Sequence, residues 1–407
     1  MRSKCLAVLA LAATAALTVI LGCAGPWAAA SDHGDYWVGT WGTSPQLTEP
    51  RNLPPPPGLT SNTLRQVAHV SVGGKKLRAR LSNAFGTNPV TMNSVHLASS
   101  ASRSAIQPDS DRTLTFQGKS SVTIPAGESV LSDTFNFNLA PLSDLAVTID
   151  FGGTSPAVTG HPGSRTTSYL QAGDSVSALD LPNAAKTEHW YILTGIDVEA
   201  DTSSAAIVTL GDSITDGRGS GTDKNDRWPD NLARRLQADK PTAQIAVLNA
   251  GIGGNCVLRG GLGPTALARF ERDVLSQSGV RWLIVLEGVN DIGGSRDASV
   301  ATNLIAAYDK MIEQAHARHI RVYGATILPF GGSFYDRPGH EAARETVNSW
   351  IRTGGKFDAV IDFDAAMRDP QNPSRLMPTV DSGDHLHPNE AGYQVMADAI
   401  DLELFRN

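Results

Sequence analysis

The sequence contains few cysteines, no basic block and, after its first thirty residues, no long apolar run. Cys5 and Cys23 lie near the N-terminus, which leaves Cys256 alone in the remainder, so no intramolecular disulfide is expected there. No segment after residue 30 is apolar over the roughly 18 residues that a membrane span requires, so no transmembrane span is expected. A net charge of −7 without a lysine- or arginine-rich block argues against nucleic acid as a partner.

The first thirty residues have the pattern of a signal peptide. Two basic residues precede an uncharged apolar run from Leu6 to Leu21, and Ala28-Ala29-Ala30 supplies the small residues of a cleavage site. We therefore expect an extracellular, secreted protein. A second interpretation takes Ile20-Leu21-Gly22-Cys23 as an imperfect lipoprotein box with Cys23 lipidated, and a third is an N-terminal anchor. Secretion is preferred because the alanine site fits better and the apolar run is short for an anchor.

From Trp37 to about Val198 the sequence indicates β-structure. Short alternating runs are separated by turn residues, and Gly73-Gly74 between two such runs predicts a β-hairpin. Further strands are predicted at 90–97, 113–116, 121–124, 134–139 and 145–151. This spacing, with little helical periodicity, is typical of a sandwich or jelly roll. We assign residues 35–198 to an all-β, sandwich-like accessory domain that follows the signal peptide at 1–30.

Beyond the polar stretch Glu199–Ser204, predicted strands alternate with predicted helices. The apolar run Ala205–Leu210 is typical of a central parallel strand with both faces buried. Further strands are predicted at 245–248, 282–286, 320–325 and 359–361, and helices at 231–237, 265–275, 300–317, 340–351 and 389–404. The alternation predicts a three-layer α/β domain over residues 204–407.

A candidate nucleophile follows the first strand of this second domain. Gly211-Asp212-Ser213 comes directly after the buried run, and open α/β sheets place their functional sites at the carboxyl ends of strands. A serine on such a tight turn suits nucleophilic attack, although serines also commonly cap helices. The segment does not match Gly-x-Ser-x-Gly, which disfavours an ordinary α/β-hydrolase.

Two further segments follow predicted strands and offer hydrogen-bond donors. Asn290 can donate a side-chain N–H to negative charge that develops on an oxygen, although Asn-Asp is also a common turn pair. The glycines of Gly251-Ile252-Gly253-Gly254 let the backbone aim N–H groups at a ligand. Cys256 is then interpreted as a packing residue behind this loop rather than as a nucleophile.

Near the C-terminus, Asp384 precedes His387 by three residues. An acid at this spacing can reach the imidazole N–H and orient it, and histidine is the natural general base near neutral pH. His385 and His387 with Asp384 would also suit a metal ion, but a third or fourth ligand is not evident nearby. A triad with the upstream serine is therefore preferred over a metal site.

These four segments, in this order, resemble the SGNH hydrolases, also called the GDSL esterase/lipase family. The resemblance covers about the last 200 residues and implies a flavodoxin-like parallel sheet with helices on both sides. It implies that Ser213 is the nucleophile, His387 the base and Asp384 the residue that orients it. The oxyanion hole would consist of the Ser213 backbone N–H, the Gly254 backbone N–H and the Asn290 amide. Ile214 replaces the leucine of the family name, which is a mild change.

The resemblance also assigns structural roles. Asp212 and Asp291 are interpreted as residues that hold the loops by hydrogen bonds. The N-terminal half is similar, more loosely, to the β-rich module that precedes the hydrolase domain in secreted bacterial and fungal members, at residues 36–43, 81–86 and 161–168. The loop with His161 and Arg165 would then lean over the hydrolase cleft, although a turn within the sandwich is the simpler interpretation.

The expected function is therefore that of a carboxylic ester hydrolase that forms an acyl-enzyme and needs no metal or cofactor. Its substrate is either acetylated carbohydrate or a lipid or short-chain acyl ester, and the β-domain is a candidate for polysaccharide contact. The alternative is a carbohydrate-binding protein with an inactive hydrolase domain. The intact set Ser213, Asn290, Asp384 and His387 argues against that alternative.

Overall fold

The structure, a computed structural model, describes residues 36–297 and 299–406. The predicted leader, with Cys5 and Cys23, lies outside these residues. Sixteen strands precede residue 200: β1 (Trp37–Gly42), β2 (Gln46–Leu47), β3 (Asn62–His69), β4 (Gly74–Ser82), β5 (Val90–Ser102), β6 (Ala105–Ile106), β7 (Arg112–Thr113), β8 (Val122–Ile124), β9 (Ser129–Leu131), β10 (Phe135–Leu139), β11 (Asp144–Phe151), β12 (Thr159–His161), β13 (Ser168–Ala172), β14 (Ala185–Thr187), β15 (Trp190–Tyr191) and β16 (Leu193–Glu199).

These strands form antiparallel sheets. One follows the order β1-β16-β4-β10, a second β14-β13-β3-β11-β5-β6, and a third, of three short strands, β15-β12-β2. In β4, Leu77, Ala79 and Leu81 are buried while the residues between them are partly exposed, which is the alternation of a strand with one face on a core. A β-rich N-terminal part is therefore present, and its form as a sandwich or jelly roll stays a prediction.

The predicted hairpin at Gly73-Gly74 is wrong. β3 pairs with β11 and β13, whereas β4 pairs with β16 and β10, so the glycines connect two different sheets. The intervening segment is held by neighbours, because Val70 N donates to Ser143 O and Ser71 N to Thr40 O. Alternation identifies which residues face a core, but it does not identify which strands pair. Of the strand predicted at 113–116, only Thr113 is in a strand, as the last residue of β7.

After residue 200 the chain forms one parallel sheet and eight α-helices among the described residues. The strands are β17 (Ala205–Gly211), β18 (Ile245–Gly251), β19 (Val280–Leu286), β20 (Arg321–Ala325) and β21 (Ala359–Ile361), followed by the antiparallel pair β22 (Arg368–Asp369) and β23 (Asn372–Leu376). The helices are α1 (Ser213–Asp216), α2 (Trp228–Ala238), α3 (Ala266–Phe270), α4 (Val289–Gly294), α5 (Val300–His316), α6 (His340–Thr353), α7 (Phe363–Met367) and α8 (Glu390–Asp398).

The parallel sheet has the order β18-β17-β19-β20-β21, and each neighbouring pair is parallel. Counted along the chain this is 2-1-3-4-5, one of the two common orders of doubly wound sheets. The mixed α/β class is thereby confirmed, while the placement of helices on both faces stays a prediction. The five predicted strands of this sheet are all present with boundaries within a few residues.

The last predicted helix, 389–404, is too long. Asn389 caps α8 as predicted, since its side chain accepts from Gly392 N at 2.9 Å, but the helix ends at Asp398. Asp401 then starts a separate 3₁₀ turn, Leu402–Phe405. The predicted helix at 265–275 is α3 continued by a π-helical segment, Glu271–Leu275. Within the described residues, no helix is long and apolar enough to cross a membrane.

The N-terminal strands pack directly against the parallel sheet. Gly39 of β1 donates its N–H to Ser278 O, and Ser71 Oγ accepts from Val247 N of β18 at 3.1 Å. A Cβ atom at Gly39 would approach Leu248 Cδ1 to 2.9 Å, so the two sheets touch at this glycine. Residues on both sides share one hydrophobic core and belong to one compact unit. The division into an accessory and a hydrolase domain stays a prediction.

Candidate active site

Three neighbouring strands of the parallel sheet, β18, β17 and β19, end in register. Gly211 at the end of β17 lies beside Gly251 of β18 on one side and Leu286 of β19 on the other. The loops that follow these strands therefore leave the same edge of the sheet. They carry Ser213, Gly254 and Asn290, three of the residues that the sequence analysis selected.

Ser213, His387 and Asp384 form one hydrogen-bonded chain. Ser213 Oγ lies 2.8 Å from His387 Nε2, and His387 Nδ1 lies 2.7 Å from Asp384 Oδ2. Because a carboxylate only accepts, Nδ1 carries the proton and the neutral ring accepts the serine hydroxyl at Nε2. The other carboxylate oxygen, Asp384 Oδ1, accepts from the backbone N–H groups of Leu386 and His387. The loop backbone thus fixes the carboxylate of Asp384, and this carboxylate in turn orients the His387 ring.

The electrostatics of this chain keep the acid ionised and the imidazole neutral. Burial by itself raises the pKa of Asp384, but hydrogen bonds from the His387 backbone and ring, together with the ring charge, outweigh it and lower the pKa to about 2. Burial lowers the pKa of His387. Asp384 raises this pKa, and the charges of Arg218 and Arg165 lower it further. A neutral imidazole next to a serine hydroxyl is the state that a general base requires.

The local sequence explains the position of Ser213. Every residue of β17 is buried, and α1 begins at Ser213 itself. The carboxylate of Asp212 caps this helix, because its Oδ1 accepts from Ile214 N at 2.9 Å. Burial, together with the charges of Asp291 and Asp216, raises the pKa of Asp212. Asp212 therefore holds the turn by a hydrogen bond, as the sequence analysis predicts.

Asn290 presents one N–H to the space beside Ser213. Its amide is fixed at both ends, since Nδ2 donates to Asn255 O at 2.8 Å and Oδ1 accepts from the Tyr335 hydroxyl at 2.9 Å. One of the two Nδ2 protons remains for another acceptor. Among the described residues, the backbone N–H groups of Ser213 and Gly254 also have no acceptor. Gly254 has φ +71°, a conformation that suits glycine.

The loop after β18 is held by Asp291. Its carboxylate accepts from Val257 N at 2.8 Å and from Leu258 N at 2.9 Å, so it acts as the loop anchor that the sequence analysis assigns to it. Cys256 is buried and is a free thiol. Burial, with nearby carboxylates, raises the pKa of Cys256 to about 12. A protonated, buried thiol agrees with a packing role.

His385 lies apart from this chain of contacts. Its Nδ1 pairs with Asp381 Oδ2 at 2.6 Å and its side chain is half exposed, so His385 and His387 face different carboxylates. In the part of the chain that the structure describes, no group of three or more His, Cys, Asp or Glu side chains is arranged to hold a metal ion.

The N-terminal part forms one wall of the cleft above Ser213. Pro162, Gly163 and Arg165 line this cleft together with Ser213 and His387. The N-terminal part also contributes Gln46, Glu49, Arg51, Asn52 and His189. The loop after β12 therefore does lean over the site, although its effect on substrates stays a prediction. A Cβ atom at Gly163 would come within 1.9 Å of Asp216 Oδ2, so only glycine permits this approach.

His161 lies beneath the loop rather than in the cleft. Its Nδ1 faces Ser44 O at 2.9 Å and its Nε2 faces Asp216 Oδ1 at 2.8 Å, with both side chains buried. Each ring nitrogen thus faces an oxygen, and the ring bridges the Ser44 carbonyl and the Asp216 carboxylate. Asp216 belongs to α1, so this pair joins the N-terminal part to the helix of Ser213.

The sequence analysis missed Arg269, which is completely buried behind the site. Its guanidinium reaches the ends of the strands that carry the candidate residues. Its partners are Gly211 O, Ala250 O, the Asn255 side chain, Ser44 Oγ, Asp273 and Glu287. An arginine inside a helical pattern carries no sequence signal that distinguishes it from a surface arginine.

The sequence analysis also missed Tyr335, whose hydroxyl holds the Asn290 amide. It lies in the loop after β20, beside the exposed Phe334, and both residues line the cleft. A Cβ atom at Gly293 of α4 would meet the Tyr335 ring at 2.2 Å, so the ring lies flat on this helix. The adjacent aromatics after Gly331-Gly332 are the one signal in the sequence that marks this loop.

Comparison with known families agrees with this geometry. Residues 209–395 match the family described as GDSL-like Lipase/Acylhydrolase, and this segment contains Ser213, Asn290, Asp384 and His387. The resemblance to that family is thereby confirmed for this part of the chain. No curated protein matches the chain.

Several solved structures are similar to about half of this chain. A G-D-S-L family lipolytic protein from Desulfitobacterium hafniense DCB-2 is 22% identical, covering 48% of this chain and 97% of that protein, with a TM-score of 0.39. A GDSL-like lipase from Bacteroides thetaiotaomicron is 20% identical over 51% and 90%, TM-score 0.39. The acetylxylan esterase Axe2 from Geobacillus stearothermophilus is 22% identical over 49% and 94%, TM-score 0.37.

We expect Arg269→Met to destabilise the fold strongly. The substitution leaves buried Glu287 without its cation and removes one of the two arginines that pair with Asp273, and breaking a buried ion pair typically costs about 3–5 kcal/mol. Chemical denaturation measures the change. Arg318→Met is the matched control, since its pair with Glu271 is exposed and such pairs contribute about 0–1 kcal/mol. Equal losses in the two variants would contradict the role assigned to Arg269.

Proposed function

We propose that the protein is a secreted serine esterase that hydrolyses carboxylic esters. The observation that carries the proposal is the chain of contacts from Ser213 Oγ through His387 to Asp384, at 2.8 Å and 2.7 Å. The family match over residues 209–395 supports an acylhydrolase. The signal-peptide pattern at residues 1–30 supports export.

In the first half of the reaction, Ser213 Oγ attacks the ester carbonyl carbon while His387 Nε2 takes the hydroxyl proton. The imidazolium that results is stabilised by the ionised Asp384. The carbonyl oxygen becomes an oxyanion, and the Ser213 N–H, the Gly254 N–H and the Asn290 amide are the donors that we assign to it. The tetrahedral intermediate then expels the alcohol, which takes the proton from His387, and an acyl-enzyme remains.

In the second half, His387 removes a proton from a water molecule, whose oxygen attacks the acyl carbon. The same three donors hold the second oxyanion. Collapse of this intermediate releases the carboxylic acid and returns the proton to Ser213 Oγ. Every proton transfer in both halves passes through His387, whose Nε2 already contacts Ser213 Oγ.

The lining of the cleft favours a polar alcohol over a lipid chain. Most of the side chains that the N-terminal part contributes are charged or amide-bearing, among them Gln46, Glu49, Asn52 and Arg165. Leu262 and Phe334 are the exposed large apolar residues of this cleft among the described residues. Hydroxyl-rich groups pair with such a surface, whereas an acyl chain gains little from it. We therefore propose acetylated carbohydrate as the substrate class, with the N-terminal part contacting the sugar.

The first test is the hydrolysis of p-nitrophenyl esters of increasing acyl length by the wild type and by Ser213→Ala. We expect turnover of the short esters and its loss in the variant, because among the described residues Ser213 Oγ is the hydroxyl that is hydrogen-bonded to the His387 ring. Circular dichroism of both proteins controls for folding. Turnover that persists in Ser213→Ala, or its absence on every ester in the wild type, would remove the proposal; the second result would leave the binding-only alternative.

The pH profile tests the role of His387. The base must be neutral, and burial lowers the pKa of His387 below its usual value of about 6.5. We expect kcat/KM to rise with pH through that lowered pKa and to level off before neutral pH. Asp384, with a pKa of about 2, stays ionised across this range and adds no second limb. Rates measured from acid to neutral pH that show no rise would count against His387 as the base.

Tyr335→Phe tests the positioning of Asn290. Without the hydroxyl, Asn290 Oδ1 loses its donor and the amide is held at one end only. We expect kcat to fall with little change in KM, by less than the roughly 10²–10³-fold loss typical when an oxyanion donor is removed, as in Asn290→Ala. In the double variant the two losses should not add, because Tyr335 acts through Asn290. Additive losses would show that Tyr335 acts independently.

A further inference from the structure

We infer that the cleft selects esters that carry a carboxylate close to the scissile bond, and that Arg165 and Arg218 bind this group. The inference rests on the proposed esterase function and specifies its substrate. It follows from three arginines that line the cleft, from the absence of hydrogen-bond acceptors for their guanidinium groups among the described residues, and from the few carboxylates in the cleft lining.

Arg165 is held in the cleft wall without a hydrogen-bond acceptor. Its Nε is buried and unpartnered in the described part of the chain, and its guanidinium forms no ion pair there. Its backbone has φ +50°, and its carbonyl accepts from Asp223 N at 2.9 Å. Asp223 also accepts from Thr167 N and Oγ1, which fixes the loop. A buried N–H normally has a partner, so a group that fills the cleft is the natural acceptor.

Arg218, which follows α1, lines the same cleft. Its side chain is 62% exposed and forms no hydrogen bond with a described residue. Its nearest acid is Asp384, whose Oδ2 lies 4.0 Å from Arg218 Nε but is already bound by His387 Nδ1 at 2.7 Å. The charges of Arg165 and Arg218 both act at His387, which places them near the reacting groups.

Few negative charges in the cleft oppose these cations. Glu49 accepts from the amides of Gln46 and Asn52, at 2.6 Å and 2.9 Å. Asp216 is buried and faces His161 Nε2 at 2.8 Å. A third arginine, Arg51, is exposed at the rim and has no side-chain partner in the described chain. The cleft lining thus holds three arginines and two acids, in a protein whose net charge is −7.

A carboxylate matches this arrangement. Guanidinium groups pair with carboxylates through parallel N–H···O bonds, and such charge-assisted bonds are stronger than neutral ones. The carboxylate can belong to the alcohol, as in a uronic acid, or to the acyl group, as in a half-ester of a dicarboxylic acid. Both place the same anion near the scissile bond, and the experiment separates them.

The test compares pairs of esters that differ only in the anion. For the alcohol side the pair is O-acetylated methyl glucuronoside and O-acetylated methyl glucoside, followed by acetate release. For the acyl side it is the p-nitrophenyl half-ester of adipic acid and p-nitrophenyl hexanoate. We expect the wild type to prefer the acid of one pair by about tenfold or more in kcat/KM, as a hydrogen bond to a charged group allows. That preference should weaken with added salt.

The variants are Arg165→Gln and Arg218→Gln, and the measured quantity is the ratio of kcat/KM for the acid to that for its neutral partner. Because both members share the chemical step, a general effect on catalysis cancels in this ratio. We expect each variant to lower the ratio severalfold. Arg112→Gln is the control, since it removes the same charge from β7, outside the cleft lining, and should keep the wild-type ratio.

The outcomes separate this inference from the proposed function. A wild-type ratio near one for both pairs, or a ratio that neither arginine variant changes, overturns the inference while neutral ester turnover still supports the esterase. If the wild type hydrolyses none of the four esters, the proposed function falls and the inference with it. Should Arg165→Gln fail to fold, Arg218→Gln decides, because that side chain is largely exposed and makes no hydrogen bond.

Discussion

The candidate site depends on one buried cation. Arg269 binds the carbonyl at the end of β17, a carbonyl near the end of β18 and the carboxylate of Glu287 after β19, so a single guanidinium fixes the three loops that supply Ser213, Gly254 and Asn290. Polar groups gathered at strand ends would otherwise be buried without partners. Arg269 satisfies them and fixes the distances between the loops. The same side chain reaches Ser44, so the N-terminal part is attached to this centre as well.

Near Arg269 lie buried acids whose pKa is raised. Burial raises the pKa of Glu287 and, to a lesser degree, that of Asp291. One oxygen of Glu287 accepts from Arg269, and the other has no partner in the described chain. Asp384 differs from these acids in that its pKa is lowered. It lies in a short loop, where backbone N–H groups and His387 stabilise its negative charge. Asp384, the acid that the proposed mechanism needs in its ionised form, is therefore separate from the buried acids that hold the loops.

The sequence predicts the parts of this structure that depend on local pattern. Buried strands such as β17 are recognisable from their apolar runs, and Ser213 and His387 from the short motifs that carry them. Which strands pair with each other is harder to predict from the sequence. The glycines at 73–74 form a turn signal, but the two strands that flank them pair with other strands. Arg269 and Tyr335 act through contacts with residues that are distant in the sequence, and the residues next to them give no indication of those contacts. The cleft wall formed by the N-terminal part also depends on contacts between residues that are distant in the sequence.

The contact between His161 and Asp216 bears on how such a protein can change over evolutionary time. The ring belongs to the N-terminal part and the carboxylate to the four-residue helix that begins at Ser213. An N-terminal part taken from another protein would have to bring its own hydrogen-bonding partner for Asp216 and its own glycine where Gly163 passes over that carboxylate. The two halves are therefore bound to diverge together, and new specificities are more easily reached by altering loops of the existing wall than by exchanging it.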